Sequence, residues 1–252
     1  MNNVAIVQAR MSSTRLPGKV LMPLGKRNVI GQVFHQLSYC RKLDRRILAT
    51  SVDASDDPLA EWAHAESIEV FRGNLQDVLD RFYRTAKWAN ADTVVRITGD
   101  CPLIDPTVVD KVLAMFFEGG YDYVSNSNPP TFPDGMDTEV FTFASLEESW
   151  RIARLASERE HVTPYIRNHN TQFKIGNLEN DENLESVRLT LDNPEDYKLI
   201  SLIYDQLEKV GTFVSLHAVM NLVKNEKSLL EINTHIQRNE GYLSSLKKDK
   251  NK

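Results

Sequence analysis

Three permanent cations, Arg10, Arg15 and Lys19, fall within one short stretch, Gln-Ala-Arg-Met-Ser-Ser-Thr-Arg-Leu-Pro-Gly-Lys, directly after the apolar run Val4–Val7. Between them stand the hydroxyls of Ser12, Ser13 and Thr14, and Ala9 just ahead is a further candidate contact for the ligand. Main-chain N–H groups and hydroxyls can wrap anionic oxygens while the cations neutralise them, so the stretch is suited to gripping a polyphosphate. Of the 30 basic and 35 acidic residues in the chain, 7 basic and no acidic ones lie between Met1 and Leu43. A basic segment on an acidic body points to a local anion site; a solvated basic face is the alternative.

A triphosphate calls for a divalent cation, and Mg2+ takes one or two protein carboxylates together with phosphate oxygens and water. Asp100 follows Gly99 at the end of a run with Val94, Val95 and Ile97, and is the first choice for that ligand. Its alternative is a cap on the turn at Pro102. Asp192, in Leu-Asp-Asn-Pro-Glu-Asp, lies between an extended segment and a helix starting near Pro194. Helix cap and metal ligand are equal readings there. Glu195 and Asp196 fit the first turn of that helix electrostatically. Asp77 and Arg81, at i and i+4, read as a solvated helix pair. Asp137 and Glu139 alternate, so both can face one cavity from a strand, or they belong to a polar loop entering an edge strand. His161 beside Glu160 is either structural or a contact for an anionic group, as is Arg159.

These residues need a scaffold. Val4–Val7, Arg46–Thr50, Ile68–Phe71 and Thr93–Ile97 read as strands, and Val29–Cys40, Pro58–Glu66, Gln76–Trp88 and Pro106–Phe117 as helices. The alternation implies an α/β fold with parallel strands and right-handed crossovers. Ligands then sit beyond the carboxyl ends of the strands, at Arg10–Lys19, Thr50–Asp53, Arg72–Asn74 and Thr98–Asp100. Further on come a strand at Tyr121–Ser125, a loop at Asn126–Asp137 and a strand at Thr138–Phe143. A helix capped by Ser145 follows, then a helix at Glu158–Asn168 and strands at Gln172–Asn177 and Val187–Thr190. Pro194–Lys209 and most of Ser215–Leu246 are helical, and the lysine-rich end reads as a solvated tail. We expect one domain over 1–252, with 240–252 a flexible tail.

Length and composition set the bounds. A chain of 252 residues with 41% hydrophobic and 26% charged residues forms a single globular core without difficulty. A pI of about 5.7 argues against nucleic-acid binding. Cys40 and Cys101 have no metal-type spacing and suit a reducing compartment. No apolar run approaches the roughly 20 residues that span a bilayer, and the chain opens on a strand rather than a secretory signal. A cytoplasmic protein without membrane insertion is expected.

The opening motif resembles that of the cytidylyltransferases that make CMP-activated acidic sugars, nearest to the spore coat polysaccharide biosynthesis protein F branch. The similarity extends to about residue 210. No Walker loop is present, and the Gly-Gly pair usual in sugar-1-phosphate nucleotidyltransferases is missing. The resemblance implies a Rossmann-like nucleotidyltransferase domain with a mostly parallel central sheet flanked by helices, a small β-containing excursion and a helical C-terminus. It implies CMP transfer from CTP to a small, acidic sugar-type acceptor, with Asp100 and Asp192 holding Mg2+; Leu-Asp-Asn-Pro-Glu-Asp differs from the family pattern only in Asn193 for Thr. Arg10, Arg15 and Lys19 would stabilise the triphosphate and departing pyrophosphate. Arg72, Gly73 and Asp77 would enclose the base beside Thr98 and Gly99. Pro-Asp-Gly-Met-Asp-Thr-Glu and Glu-Arg-Glu-His-Val-Thr-Pro-Tyr are similar to branch motifs, which places Asp137, Glu139, Arg159 and His161 near the acceptor. Because Asp137 and Glu139 are negative, they fit hydroxyls or an amino-substituted acceptor better than a carboxylate. The excursion at about 121–180 corresponds to where related enzymes pair as homodimers. The competing functions are a nucleotidyltransferase using another base, a nucleotide-sugar glycosyltransferase, and a non-catalytic nucleotide-binding module.

Overall fold

The computed structural model describes residues 1–209 and 211–250. Among these residues nine strands form: β1 (Asn3–Gln8), β2 (Pro23–Leu24), β3 (Arg27–Asn28), β4 (Arg45–Ser51), β5 (Glu69–Gly73), β6 (Thr93–Thr98), β7 (Tyr123–Ser125), β8 (Glu139–Thr142) and β9 (Ile175–Asn177). Seven of them make one sheet in the order β5-β4-β1-β6-β8-β7-β9, and only β8 runs against its neighbours. β2 and β3 form a separate small hairpin. The helices are α1 (Val29–Leu37), α2 (Asp57–Ala65), α3 (Val78–Trp88), α4 (Pro106–Gly119), α5 (Phe143–Ile152), α6 (Ala156–His161), α7 (Pro164–Asn168), α8 (Pro194–Leu207), α9 (Leu216–Asn225), α10 (Ser228–Glu231) and α11 (Glu240–Asp249).

The period-two alternation of β1 sets up two layers. Ala5 and Val7 pack with α1, α2 and α4 on one face, while Val4 and Ile6 pack with α3 and α5 on the other. All four side chains are fully buried, as a parallel sheet covered on both faces requires. A third apolar cluster joins Leu189 and Leu191 to α8 and α9, and so fixes the segment that carries Asp192 beside the sheet.

Four local expectations change. Val187–Thr190 is extended but not a strand; Arg188 makes one isolated bridge to Asp134. Thr142, not Ser145, caps α5, its hydroxyl accepting from the Ser145 N–H at 3.0 Å. The helix foreseen over Glu158–Asn168 is broken at Val162, whose φ is +72°. The tail foreseen at 240–252 is instead helix α11 as far as Asp249, packed on α6 with Ser245 buried; residues 251–252 lie outside the described residues.

Candidate active site

The cationic loop leaves the carboxyl end of β1 and curls on itself. Met11 C=O accepts from the N–H groups of Ser13 (2.9 Å) and Gly18 (3.0 Å), and Gly18 takes the left-handed φ of +72° that lets the chain turn into Lys19. Fully buried Asp56 pins the curl from the next strand–helix junction, accepting from Met11 N–H at 2.7 Å and Ser51 Oγ at 2.5 Å. Asp56 stands at the N-cap position of α2, but its carboxylate makes no cap bond and serves the loop. At the neighbouring strand end, a Cβ on Gly99 would stand 2.7 Å from Ala9 Cβ and 3.0 Å from Gln8 C=O, so only glycine lets the two loops close together.

The two sequence-distant acids meet on one ammonium. Lys19 Nζ lies 2.8 Å from Asp100 Oδ2 and 2.9 Å from Asp192 Oδ1, and donates to Leu191 C=O at 2.7 Å. Asp192 Oδ1 also receives Arg15 at 2.8 Å, and its Oδ2 receives Arg188 at 3.0 Å. Asp192 is therefore not the cap of α8: Asn193 is, and Asp196 reaches back to the Asn193 N–H at 2.9 Å. Burial alone favours neutral Asp100, but Lys19 outweighs it and holds the carboxyl down at about 2. Burial likewise opposes the charge on Lys19, and the two acids more than offset it, raising its pKa. Among the described residues no three His, Cys, Asp or Glu side chains converge on one point. The protein thus offers a pair of hard carboxylate donors, the set on which Mg2+ keeps waters and takes phosphate oxygens.

A cavity of about 490 Å³ opens over this network. Ala9, Arg10, Ser13, Thr14, Arg15, Lys19, Thr98, Gly99, Asp100 and Asp192 all line it, together with Val78 and Arg81. Ser12 is exposed outside it. Arg72, Gly73 and Asp77 are not in its wall either. Arg72 is drawn back onto Ser51 C=O (2.8 Å) and Asp57 (2.6 Å), and Asp77 caps α3 and pairs with Arg159. Arg81 is consequently no solvated partner of Asp77. It is buried, donates to Asn74 C=O at 2.6 Å, and is pushed down to about 10 by burial and then by Arg10.

A second cavity of about 410 Å³ shares Arg15, Thr98, Asp100, His161 and Asp192 with the first. Glu139 from β8 and Asp137 from the loop just before it both face it, whereas Arg159 is committed to Asp77 and Trp150 C=O elsewhere. The acids do not stand alone: Glu139 pairs with Arg96, and Asp137 with Arg238 at 2.7 Å. Burial opposes the Glu139 charge, yet Arg96 and Arg167 hold its carboxyl at about 2. Thr163 Oγ1 donates to Glu139 at 2.5 Å from just past the turn at Val162, where Thr163 N–H reaches back to His161 C=O at 2.8 Å. A β-branched residue in that three-residue turn costs on the order of 1–3 kcal/mol. The strain is spent on aiming His161 and Thr163 at the same cavity.

The profile of the family described as Cytidylyltransferase matches residues 4–236. The chain belongs to the cytidylyltransferase family. It is 36% identical to an uncharacterized protein of Methanocaldococcus jannaschii over 94% of this chain and 97% of that one. The spore coat polysaccharide biosynthesis protein SpsF of Bacillus subtilis is 37% identical over 82% of this chain and 88% of its own. Among solved structures, a cytidylyltransferase from Leptospira borgpetersenii superposes with a TM-score of 0.87 at 33% identity, covering 91% of this chain and 97% of that one. The protein is accordingly a nucleotidyltransferase with the sheet and helical layers expected of it.

Reading this cytidylyltransferase from sequence missed Arg96, Arg167 and Arg188, which line the second cavity. A signal was present for two of them. Arg96 interrupts Val-Val-Arg-Ile, and Arg188 interrupts Val-Arg-Leu-Thr-Leu. A charge inside an apolar run must find a partner when that run is buried. Among the described residues, no helix is long and apolar enough to cross a membrane.

Proposed function

We propose that this cytidylyltransferase uses Mg2+ and CTP to place CMP on a sugar-type acceptor, releasing pyrophosphate. The observation that carries the reading is the meeting of Asp100 and Asp192 on Lys19, in the wall of a cation-lined cavity that shares part of its lining with a second one. CTP would occupy the first cavity, its phosphates against Arg10, Arg15 and the Ser13–Thr14 segment. The acceptor would enter the second and present an oxygen to the α-phosphorus. The new bond forms between that oxygen and the α-phosphorus while the bond to the bridging oxygen breaks. Its electron pair leaves with pyrophosphate, and the acceptor proton passes to solvent or buffer. Asp100 and Asp192 would hold the metal, which when bound neutralises phosphate oxygens. Apart from that, this chain's residues position the reactants and stabilise charge, with little covalent work to do.

The relation to a protein of polysaccharide biosynthesis supports a glycan precursor as acceptor. An acidic sugar is electrostatically admissible, because Asp134, Asp137 and Glu139 each already carry an arginine partner. The test is pyrophosphate release with each nucleoside triphosphate, Mg2+ and a panel of neutral, amino and acidic sugars. Asp100→Asn is expected to abolish release while the circular dichroism spectrum stays native. Unchanged turnover in that variant would remove Asp100, and with it the metal reading.

A further inference from the structure

Helix α11 lies beyond the family-matched span of 4–236, yet its first residues line the site. Glu240 and Gly241 line both cavities. Glu240 Oε2 sits 2.6 Å from Arg15 Nη1, on the guanidinium that also holds Asp192. Arg15 thus already carries a carboxylate where the proposed reaction needs a phosphate oxygen, and two anions compete for one planar fork of donors.

The helix is held in a way that permits exchange. Its anchors are polar: Ser245 Oγ donates to Glu160 at 2.7 Å and lies 3.0 Å from His161 Nε2, and Ser157 N–H reaches Asp249 at 3.2 Å. The Tyr242 ring meets His161 edge-on at 5.1 Å and covers the Arg167 guanidinium at 5.3 Å. Leu243 remains 40% exposed. An element with few buried apolar contacts opens at low free-energy cost.

We propose that α11 is a strap whose Glu240 competes with the phosphates of a nucleoside triphosphate for Arg15, so that nucleotide binding and release of the N-terminal end of the strap are coupled. The inference rests on the loop being the polyphosphate site of the proposed function. It adds that the resting protein carries its own competitor there. Removing the competing charge therefore tightens polyphosphate binding.

The experiment is titration calorimetry on the full chain and on Glu240→Gln, with CTP and Mg2+ and, separately, with inorganic tripolyphosphate as a probe that lacks base and ribose. Glu240 is exposed, so the substitution leaves the core untouched. Tighter binding of both probes by about fivefold or more is expected, the lower end of ordinary site–site coupling. In the native chain, amide exchange in 241–249 is expected to quicken at saturation. Equal or weaker binding by the variant overturns the strap. If CTP binds neither protein but tripolyphosphate shows the difference, the strap stands and the cytidine reading falls. If neither probe binds either protein, both fall.

Discussion

Lys19→Met removes an ammonium and keeps the volume of its stem, and the structure makes its consequence calculable. The wild-type Nζ serves Asp100, Asp192 and Leu191 C=O at 2.7–2.9 Å. Losing the partner of a fully buried charge costs about 3–5 kcal/mol, whereas a hydrogen bond to a charged group contributes about 1.5–3. The two carboxylates retain 26% and 19% of their side-chain surface, and Arg15 and Arg188 still face Asp192. Solvent and those cations screen the loss, so a deficit of about 2 kcal/mol is expected. In a chain of this size each kcal/mol moves the midpoint by about 2–4 °C, giving a fall of roughly 4–8 °C in chelator. Mg2+ then reverses the order. In the variant the ion faces two acids relieved of their competitor, and at a hundredfold excess over its dissociation constant it returns about 2.7 kcal/mol. Thermal melts of both proteins in chelator and in graded Mg2+ decide the matter. Lys19→Met combined with Asp100→Asn is the control that loses the gain. An Mg2+ shift no larger in Lys19→Met than in the wild type would refute the assignment of Asp100 and Asp192 as the metal pair.

Two further measurements probe the surroundings. Arg188 is buried against Asp134, Asp192 and Asp196, so Arg188→Met should destabilise by about 3–5 kcal/mol in urea titration, and Asp196→Asn added to it should recover part of that; a loss under about 1 kcal/mol contradicts the network. Burial, and then Arg96, pushes His161 down to about 4 from an ordinary value near 6.5. The folded protein resists protonating it, so its contribution is complete above about pH 6.5 and is lost as pH falls toward about 4. The thermal midpoint of the wild type should therefore drop more steeply over that range than that of His161→Gln, and parallel slopes would contradict the buried, neutral imidazole.

The scaffold was legible because its signal is local. Val4, Ile6, Ala5 and Val7 announce a strand buried on both faces, and Pro194 announces the first turn of a helix. The failures share a cause as well. Val187–Thr190 alternates like a strand, but its backbone partner is a loop residue, Asp134, which no local pattern specifies. Arg72 and Gly73 end a strand on the correct side of the sheet, yet β5 is the edge strand, and Arg72 turns inward to its own neighbours. α11 reads as a lysine-rich tail because its docking depends on Ser245 and Tyr242 meeting His161, a contact between distant parts of the chain.

Charge was the hardest feature to read, and the reason is physical. A cation-rich segment shows that anions are needed but not whether the protein or a ligand supplies them. Here the chain supplies many: Lys19 finds Asp100 and Asp192 at separations of 81 and 173 residues, and Arg15 finds Glu240 at 225. Such partners are set by tertiary approach, and one-dimensional counting cannot see them. The consequence bears on mechanism. A loop already neutralised by its own acids binds a triphosphate by exchange, so affinity reports the difference between two sets of ion pairs rather than the sum of one. Substitutions that remove an internal acid should tighten nucleotide binding where that acid is a competitor, as at Glu240, and abolish turnover where it is a metal ligand, as at Asp100. Opposite signs from two carboxylates at one mouth are what a purely electrostatic patch would not produce.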